Sequence, residues 1–226
     1  MELDLTRQSG IIPTELVTKL GISIIGCGAI GSHAAETLAK IGIRNMHAWD
    51  FDSVEEHNLA NQGFRLIDLG LSKVEVVRDK LQEAVGLDLV TNLERVDSDT
   101  RFFTPLVLAT VDTMSARKDI LKAALSSLDA EVLIDARMGA MYGQVFICNL
   151  ADPQSLKDYK KTLFDDSEGF QAPCTEKSTI FCAVGMAAFI TALVTAYVCK
   201  GDLPRKLEID FVRMEIIRTE VTKVEE

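Results

Sequence analysis

Short apolar runs that stop at a glycine or an acid alternate along this chain with stretches at helical spacing. GISIIG (21–26) is apolar throughout, as in a strand buried on both faces. AIGSHAAETLAKIG (29–42) has helical spacing and ends at Gly42, a helix stop. IRNMHAWD (43–50) predicts a second strand ending at Asp50, and SKVEVVRDKLQEAV (72–85) a helix with Val74, Val77, Leu81 and Val85 on one face. DLVTNLERV (88–96), PLVLAT (105–110), EVLIDAR (131–137) and YGQVFICNL (142–150) predict the third to sixth strands, with a helix over MSARKDILKAALSSL after the fourth.

This alternation predicts an α/β fold, a Rossmann-like doubly wound and mostly parallel sheet with helices on both faces. After Leu150 the texture changes. Residues 151–178 are polar, with two prolines and a glycine, and predict a long crossover loop carrying one short helix. TIFCAVGMAAFITALVTAYV (179–198) has no charge and the length of a membrane span. Its Ala, Gly and Thr content predicts instead a core helix, apolar all round and fully buried. KLEIDFVRMEIIRTEV (206–221) predicts one or two closing antiparallel strands. The organisation expected is one domain over 1–226, with a nucleotide-binding core at 20–150, the crossover at 151–178, and the helix and last strands at 179–226.

Composition narrows the function classes. Apolar residues are 47% and charged ones 26%, in the range of soluble globular domains, and the net charge of −10 speaks against nucleic acid and anionic membrane as partners. An acidic surface favours a partner with a basic patch. Five cysteines occur without a C-x-x-C pair, which argues against structural zinc. The odd count and the polar start MELDLTRQ point to a reducing cytoplasm.

GCGAIG sets Gly26, Gly28 and Gly31 in G-x-G-x-x-G spacing between a strand and a helix, a pattern for a tight turn that brings backbone close to a phosphate. Asp50, ending the next strand, suits a ribose hydroxyl and serves NAD and ATP equally. The stretch DFDSVEEHNLANQ (50–62) then crowds acids and amides where apolar residues would be ordinary.

Together GCGAIGSHAAETLAKIG, DFDSVEEHNLANQ, LGLSKVEVVRDKL and ATVDTMSARKDIL resemble the ThiF superfamily, adenylating enzymes that activate ubiquitin and its sulfur-carrier relatives. The resemblance runs from TRQ near the start to FVRMEI near the end, and it implies ATP with Mg²⁺. It implies that Lys73 binds phosphate, Asp112 holds Mg²⁺, Asp50 holds the ribose and Asn58 contacts ATP. Gly26, Gly28, Ala29, Gly31, Asp52, Asn61 and Gln62 complete the cradle. Arg7 matches an N-terminal arginine that reaches into a partner subunit's site, so a homodimer is expected. The implied substrate is a small ubiquitin-like or sulfur-carrier protein ending in Gly-Gly. Arg117 matches a family arginine near the metal-holding aspartate, where a salt bridge would orient that loop.

The chain departs from the family at Asn61. NLANQ stands where the family commonly reads N-L-x-R-Q, so a phosphate-facing cation is lost, and Arg65 is a candidate replacement. Cys174, in APCTEKS near Lys177, is a candidate nucleophile toward the adenylate or an incidental loop thiol. Cys182 and Cys199 are expected in the core, while Cys27, Cys148, Arg137 and Gln144 receive no role. His33 and His47 read as structural and His57 as a solvated loop residue. Two other readings stay open: a nucleotide-binding noncatalytic subunit of an activating complex, which Asn61 favours, and an NAD-dependent oxidoreductase, which leaves Lys73 and Asp112 unused.

Overall fold

In the computed structural model, residues 3–168 and 178–220 are described. Five strands form the parallel part of one sheet: β1 (Gly21–Ile25), β2 (Asn45–Trp49), β3 (Val90–Asn92), β4 (Leu106–Ala109) and β5 (Val132–Gly139). Three antiparallel strands extend it: β6 (Tyr142–Asn149), β7 (Lys206–Asp210) and β8 (Glu215–Thr219). The order is β3-β2-β1-β4-β5-β6-β7-β8. The winding reverses between β1 and β4, which opens a crevice at the carboxyl ends of those strands, the usual ligand position in such sheets.

Strand alternation divides the interior in two. Ile22 and Ile24 of β1, Leu106 and Leu108 of β4 and Ile134 of β5 pack with α2 (Ala29–Lys40), α3 (Lys73–Val85) and α6 (Ile180–Val198). Ile25, Val107, Ala109 and Leu133 face the other way, onto α4 (Met114–Leu125) and α5 (Pro153–Lys160). A first short helix, α1 (Thr14–Val17), precedes β1. Local residues close two of the helix ends. Gly86 closes α3 at φ 65°, and Asp152 caps α5 through the amides of Gln154 and Ser155.

Two elements differ from expectation. The third strand pairs only over Val90–Asn92. Beyond Asn92, which donates its side-chain amide to Ala48 O, the chain leaves the sheet with Leu93 exposed. The apolar helix α6 is two-faced rather than buried all round. Cys182, Met186, Ala187, Ile190 and Val194 are buried, whereas Phe181, Val184, Ala188 and Ala192 are exposed along one side. Its length and composition would also suit a membrane span, but here it packs along α2, with Thr37 and Thr191 hydroxyls 2.7 Å apart. Cys199, expected in the core, caps its exposed end. At the far side β8 has only β7 as a neighbour among the described residues, and all five of its residues are exposed, Ile216 and Ile217 included.

Candidate active site

The crevice is floored by the turn after β1. Gly26 has φ +93°, and a Cβ there would meet Thr110 O at 2.8 Å. At Gly31 a Cβ would lie 1.9 Å from Gly26 O, so only glycine lets α2 start this close to its strand. Gly28 is different: a Cβ added there meets nothing within 4 Å. It is the N-cap of α2 and offers no side-chain cap, so the first amides of the helix, from Ala29 on, face an open cradle. Such amides and the helix dipole favour a phosphate.

Asp50 stands at the cradle's wall, 8% exposed, taking the Cys27 amide at 2.6 Å and the Asp52 amide at 2.8 Å. Burial is the largest influence on it and raises its carboxyl above the ordinary range, against the two amide bonds and nearby Lys73. Each oxygen keeps a free lone pair for a hydroxyl donor.

The acidic stretch is pinned to the start of α3. Lys73 N donates to Asp52 O at 3.0 Å, Val54 N to Leu71 O at 2.8 Å, and Ser53 bridges Ser72. Lys73 itself is buried, and its Nζ lies 2.9 Å from Asp52 Oδ2, a carboxylate that is half exposed. Lys73 is thereby held at the crevice mouth beside a second helix N-terminus without a side-chain cap, where Ser72 Oγ is buried and has no partner among the described residues. Asn58 spends its Oδ1 on the Glu55 amide, capping the 3₁₀ turn that carries it.

Asn61 donates through Nδ2 to Ser178 Oγ, while its Oδ1 is buried without a partner among the described residues. Gln62 Oε1 and Thr179 Oγ1, its neighbours in this flank, are likewise buried and unpaired. Each such group costs about 1–3 kcal/mol if left so, and ligand atoms would relieve it. Arg65 does not compensate for the missing cation. Its guanidinium is 3.1 Å from Asp68 and 3.8 Å from Glu83, on the outside of the 66–68 turn.

Asp112 follows β4 across the crevice. It is exposed and makes no hydrogen bond or ion pair among the described residues. No group of three or more His, Cys, Asp or Glu capable of holding a metal occurs among those residues. One free carboxylate beside a phosphate cradle nevertheless suits Mg²⁺, which is commonly held by one or two carboxylates with substrate phosphates and water. Thr110 joins the two walls, its hydroxyl donating to Ile25 O at 3.0 Å or Gly26 O at 2.6 Å.

Sequence reasoning missed Asp166. Both its oxygens accept amides at the start of α4, from Met114 at 2.6 Å and Ser115 at 3.1 Å, so the crossover is moored at this point beside Asp112. It missed Asp135 too, a buried acid in an apolar strand whose partners Arg117 and Tyr159 are distant in sequence. The buried thiols are not poised for attack: burial raises Cys148 and Cys182 to about 11 and Cys27 further. Cys174 and Lys177 lie outside the described residues. Arg7 is exposed near the opposite end of α2, where Gln8 donates to Ile41 O at 2.7 Å. His57 is exposed beside Glu55 at 3.3 Å, as a solvated residue.

Comparison with known proteins gives the family and the fold. The profile of the ThiF family matches residues 7–226. The chain is similar to the Nedd8-activating enzyme E1 catalytic subunit of Drosophila melanogaster, 35% identical over 121 residues that make up 51% of this chain and 27% of that protein. It is similar to ubiquitin-like modifier-activating enzyme 5 of Bombyx mori, 30% identical over 140 residues, 54% of this chain and 35% of that one. The chain therefore spans about a third or less of these relatives' lengths. Among solved structures, PaaA aligns with a TM-score of 0.71 at 19% identity, covering 96% of this chain and 78% of that chain. E. coli MccB with ATP aligns with a TM-score of 0.70 at 18% identity, covering 92% and 65%.

Proposed function

The chain belongs to the ThiF family, and from that premise we propose that it is an ATP-dependent adenylyltransferase. Its substrate in this reading is the C-terminal glycine carboxylate of a small ubiquitin-like or sulfur-carrier protein. The carboxylate oxygen attacks the α-phosphorus of ATP, the bond to the β-phosphate oxygen breaks, and pyrophosphate leaves with its electron pair. The attacking group is already ionised at neutral pH, so no general base is required. The barrier is the approach of an anion to a polyanion, and catalysis consists of neutralising and positioning.

The residues divide that task. The open amides of α2 receive phosphate over Gly28, and Asp50 accepts a ribose hydroxyl. Lys73, buried and aimed by Asp52, supplies the fixed positive charge. Asp112 together with the nucleotide's own phosphates would hold Mg²⁺, which when bound screens phosphate charge. The single observation that carries the reading is Lys73 held at 2.9 Å by Asp52 at the start of α3, whose N-terminus, like that of α2, lacks a side-chain cap. An NAD site would leave this lysine and the free Asp112 without work.

The names of the relatives support a ubiquitin-like partner. Arg7 fits action in trans within a homodimer: α2 has 12 residues and is roughly 18 Å long, so an arginine near its far end falls short of its own cradle. Cys174 is the remaining candidate for accepting the acyl group. The test is ATP–pyrophosphate exchange with a Gly-Gly-ending carrier, abolished in Lys73→Ala and Asp112→Ala. Exchange that survives both changes defeats the reading. ATP binding without turnover would favour the noncatalytic subunit that Asn61 suggests. Mixing Arg7→Ala with Lys73→Ala should restore exchange if the arginine works across subunits.

A further inference from the structure

Behind the Asp112 loop lies a buried polar cluster that the reaction as described does not use. Asp135, on the face of β5 that meets α4 and α5, is fully buried. It accepts Arg117 Nε at 2.9 Å on one oxygen, and Arg137 Nε at 2.8 Å and Tyr159 Oη at 3.0 Å on the other. Arg117, 4% exposed, turns the rest of its guanidinium to main chain. One terminal nitrogen donates to Thr113 O at 3.1 Å and the other to Val111 O. These are the two carbonyls that flank Asp112. The fork thus grips the backbone on both sides of a carboxylate that has no other bond among the described residues, and its own direction is set by Asp135.

Arg137 secures the acid from behind. Its remaining donors reach Thr162 O at 3.0 Å and Thr162 Oγ1 at 2.9 Å, and its guanidinium lies 4.3 Å over the Phe146 ring. Two guanidinium groups against one carboxylate also leave the cluster with an excess positive charge under the Asp112 loop.

We propose that Arg117 and Asp135 are the positioning pair of the adenylation site, holding the Asp112 carboxylate in the direction from which it binds Mg²⁺ with ATP. The proposal rests on the reading of Asp112 given above. A lysine at 117 keeps the charge but cannot bridge three acceptors from one planar group. Partners that orient a metal-binding group typically change metal affinity by about 10-fold to 100-fold when altered.

The test uses the full chain and two readouts. The first is ATP affinity by calorimetry, with Mg²⁺ and with a chelator in its place. Wild type should bind more tightly with Mg²⁺, and Asp112→Asn should lose that gain. Arg117→Lys should lose about 10-fold of the Mg²⁺-dependent part and keep its metal-free affinity. The second is amide hydrogen exchange of the 111–117 segment without nucleotide, which should quicken in Arg117→Lys. Ile120→Val, a buried change in the same helix away from the cluster, should lower thermal stability and leave both readouts unmoved. Should Arg117→Lys keep the Mg²⁺ gain and the slow exchange, the positioning pair is overturned. Should wild type itself gain nothing from Mg²⁺, the assignment of Asp112 fails instead, and the exchange result still reports whether Arg117 holds the loop.

Discussion

Gly28 and Gly31 share one turn yet should respond oppositely to the same methyl group. Alanine at 31 places Cβ against Gly26 O at 1.9 Å, so Gly31→Ala should cost about 1–3 kcal/mol of stability, read in a denaturant titration. Gly28→Ala meets nothing in the protein, so its melting temperature should hold while ATP affinity falls about 10-fold, because the methyl occupies the phosphate's approach. Equal destabilisation by the two would mean that the cradle is packing alone. At Asn61 the gain runs the other way. Arginine there would give up the bond to Ser178 and return a cation to the flank, and pyrophosphate exchange should rise about 10-fold. A rate left unchanged would mean that the excess charge around Arg117 already serves in its place.

Among the elements, how much the sequence reveals depends on contrast. Strands β1, β2 and β4 and helices α2 to α4 were legible because apolar runs met glycine, acid or lysine at their edges. The last of the predicted third strand was not, since Leu93 looks like a core residue but faces solvent. For α6 the pattern failed for a simpler reason: with no charged residue anywhere in it, nothing marked an outside. Its two faces can still be told apart by volume. Ala187→Leu, on the buried side, should destabilise by about 1–3 kcal/mol, while Ala188→Leu, one residue on, should be nearly neutral in thermal melts. The site divides along the same line. Gly-rich turn, Asp50, Lys73 and Asp112 are read from local motifs. Asp166 meets Met114 and Ser115, and Asp135 meets Arg117 and Tyr159, only after folding, and no spacing in the sequence announces these pairings.

For the whole molecule, pH separates two electrostatic regimes. Glu208 on β7 takes Lys206 at 2.8 Å, the Tyr142 hydroxyl at 2.5 Å and the Gln144 amide at 3.1 Å. Led by the Lys206 and Tyr142 bonds, these lower its carboxyl from 4.5 to about 2. A depressed folded-state value means stability that is present above the unfolded value and disappears as pH falls through the folded one. The antiparallel extension should therefore weaken between about pH 4.5 and 2, and Glu208→Gln should flatten acid unfolding over that interval, followed by circular dichroism. Unchanged curves would assign acid sensitivity to other carboxylates.

The bare margin at β8 has a practical corollary. A strand with one side unpaired among the described residues and with outward isoleucines is an invitation to another chain, and mutual repulsion is a defence against it. That repulsion comes from a net charge of −10 at neutral pH and vanishes near the isoelectric point of 4.9. Turbidity should peak there and recede on either side. Replacing Ile217 by lysine should suppress the peak more than the same change on the flank of α4, because it puts the charge on the adhesive rim itself.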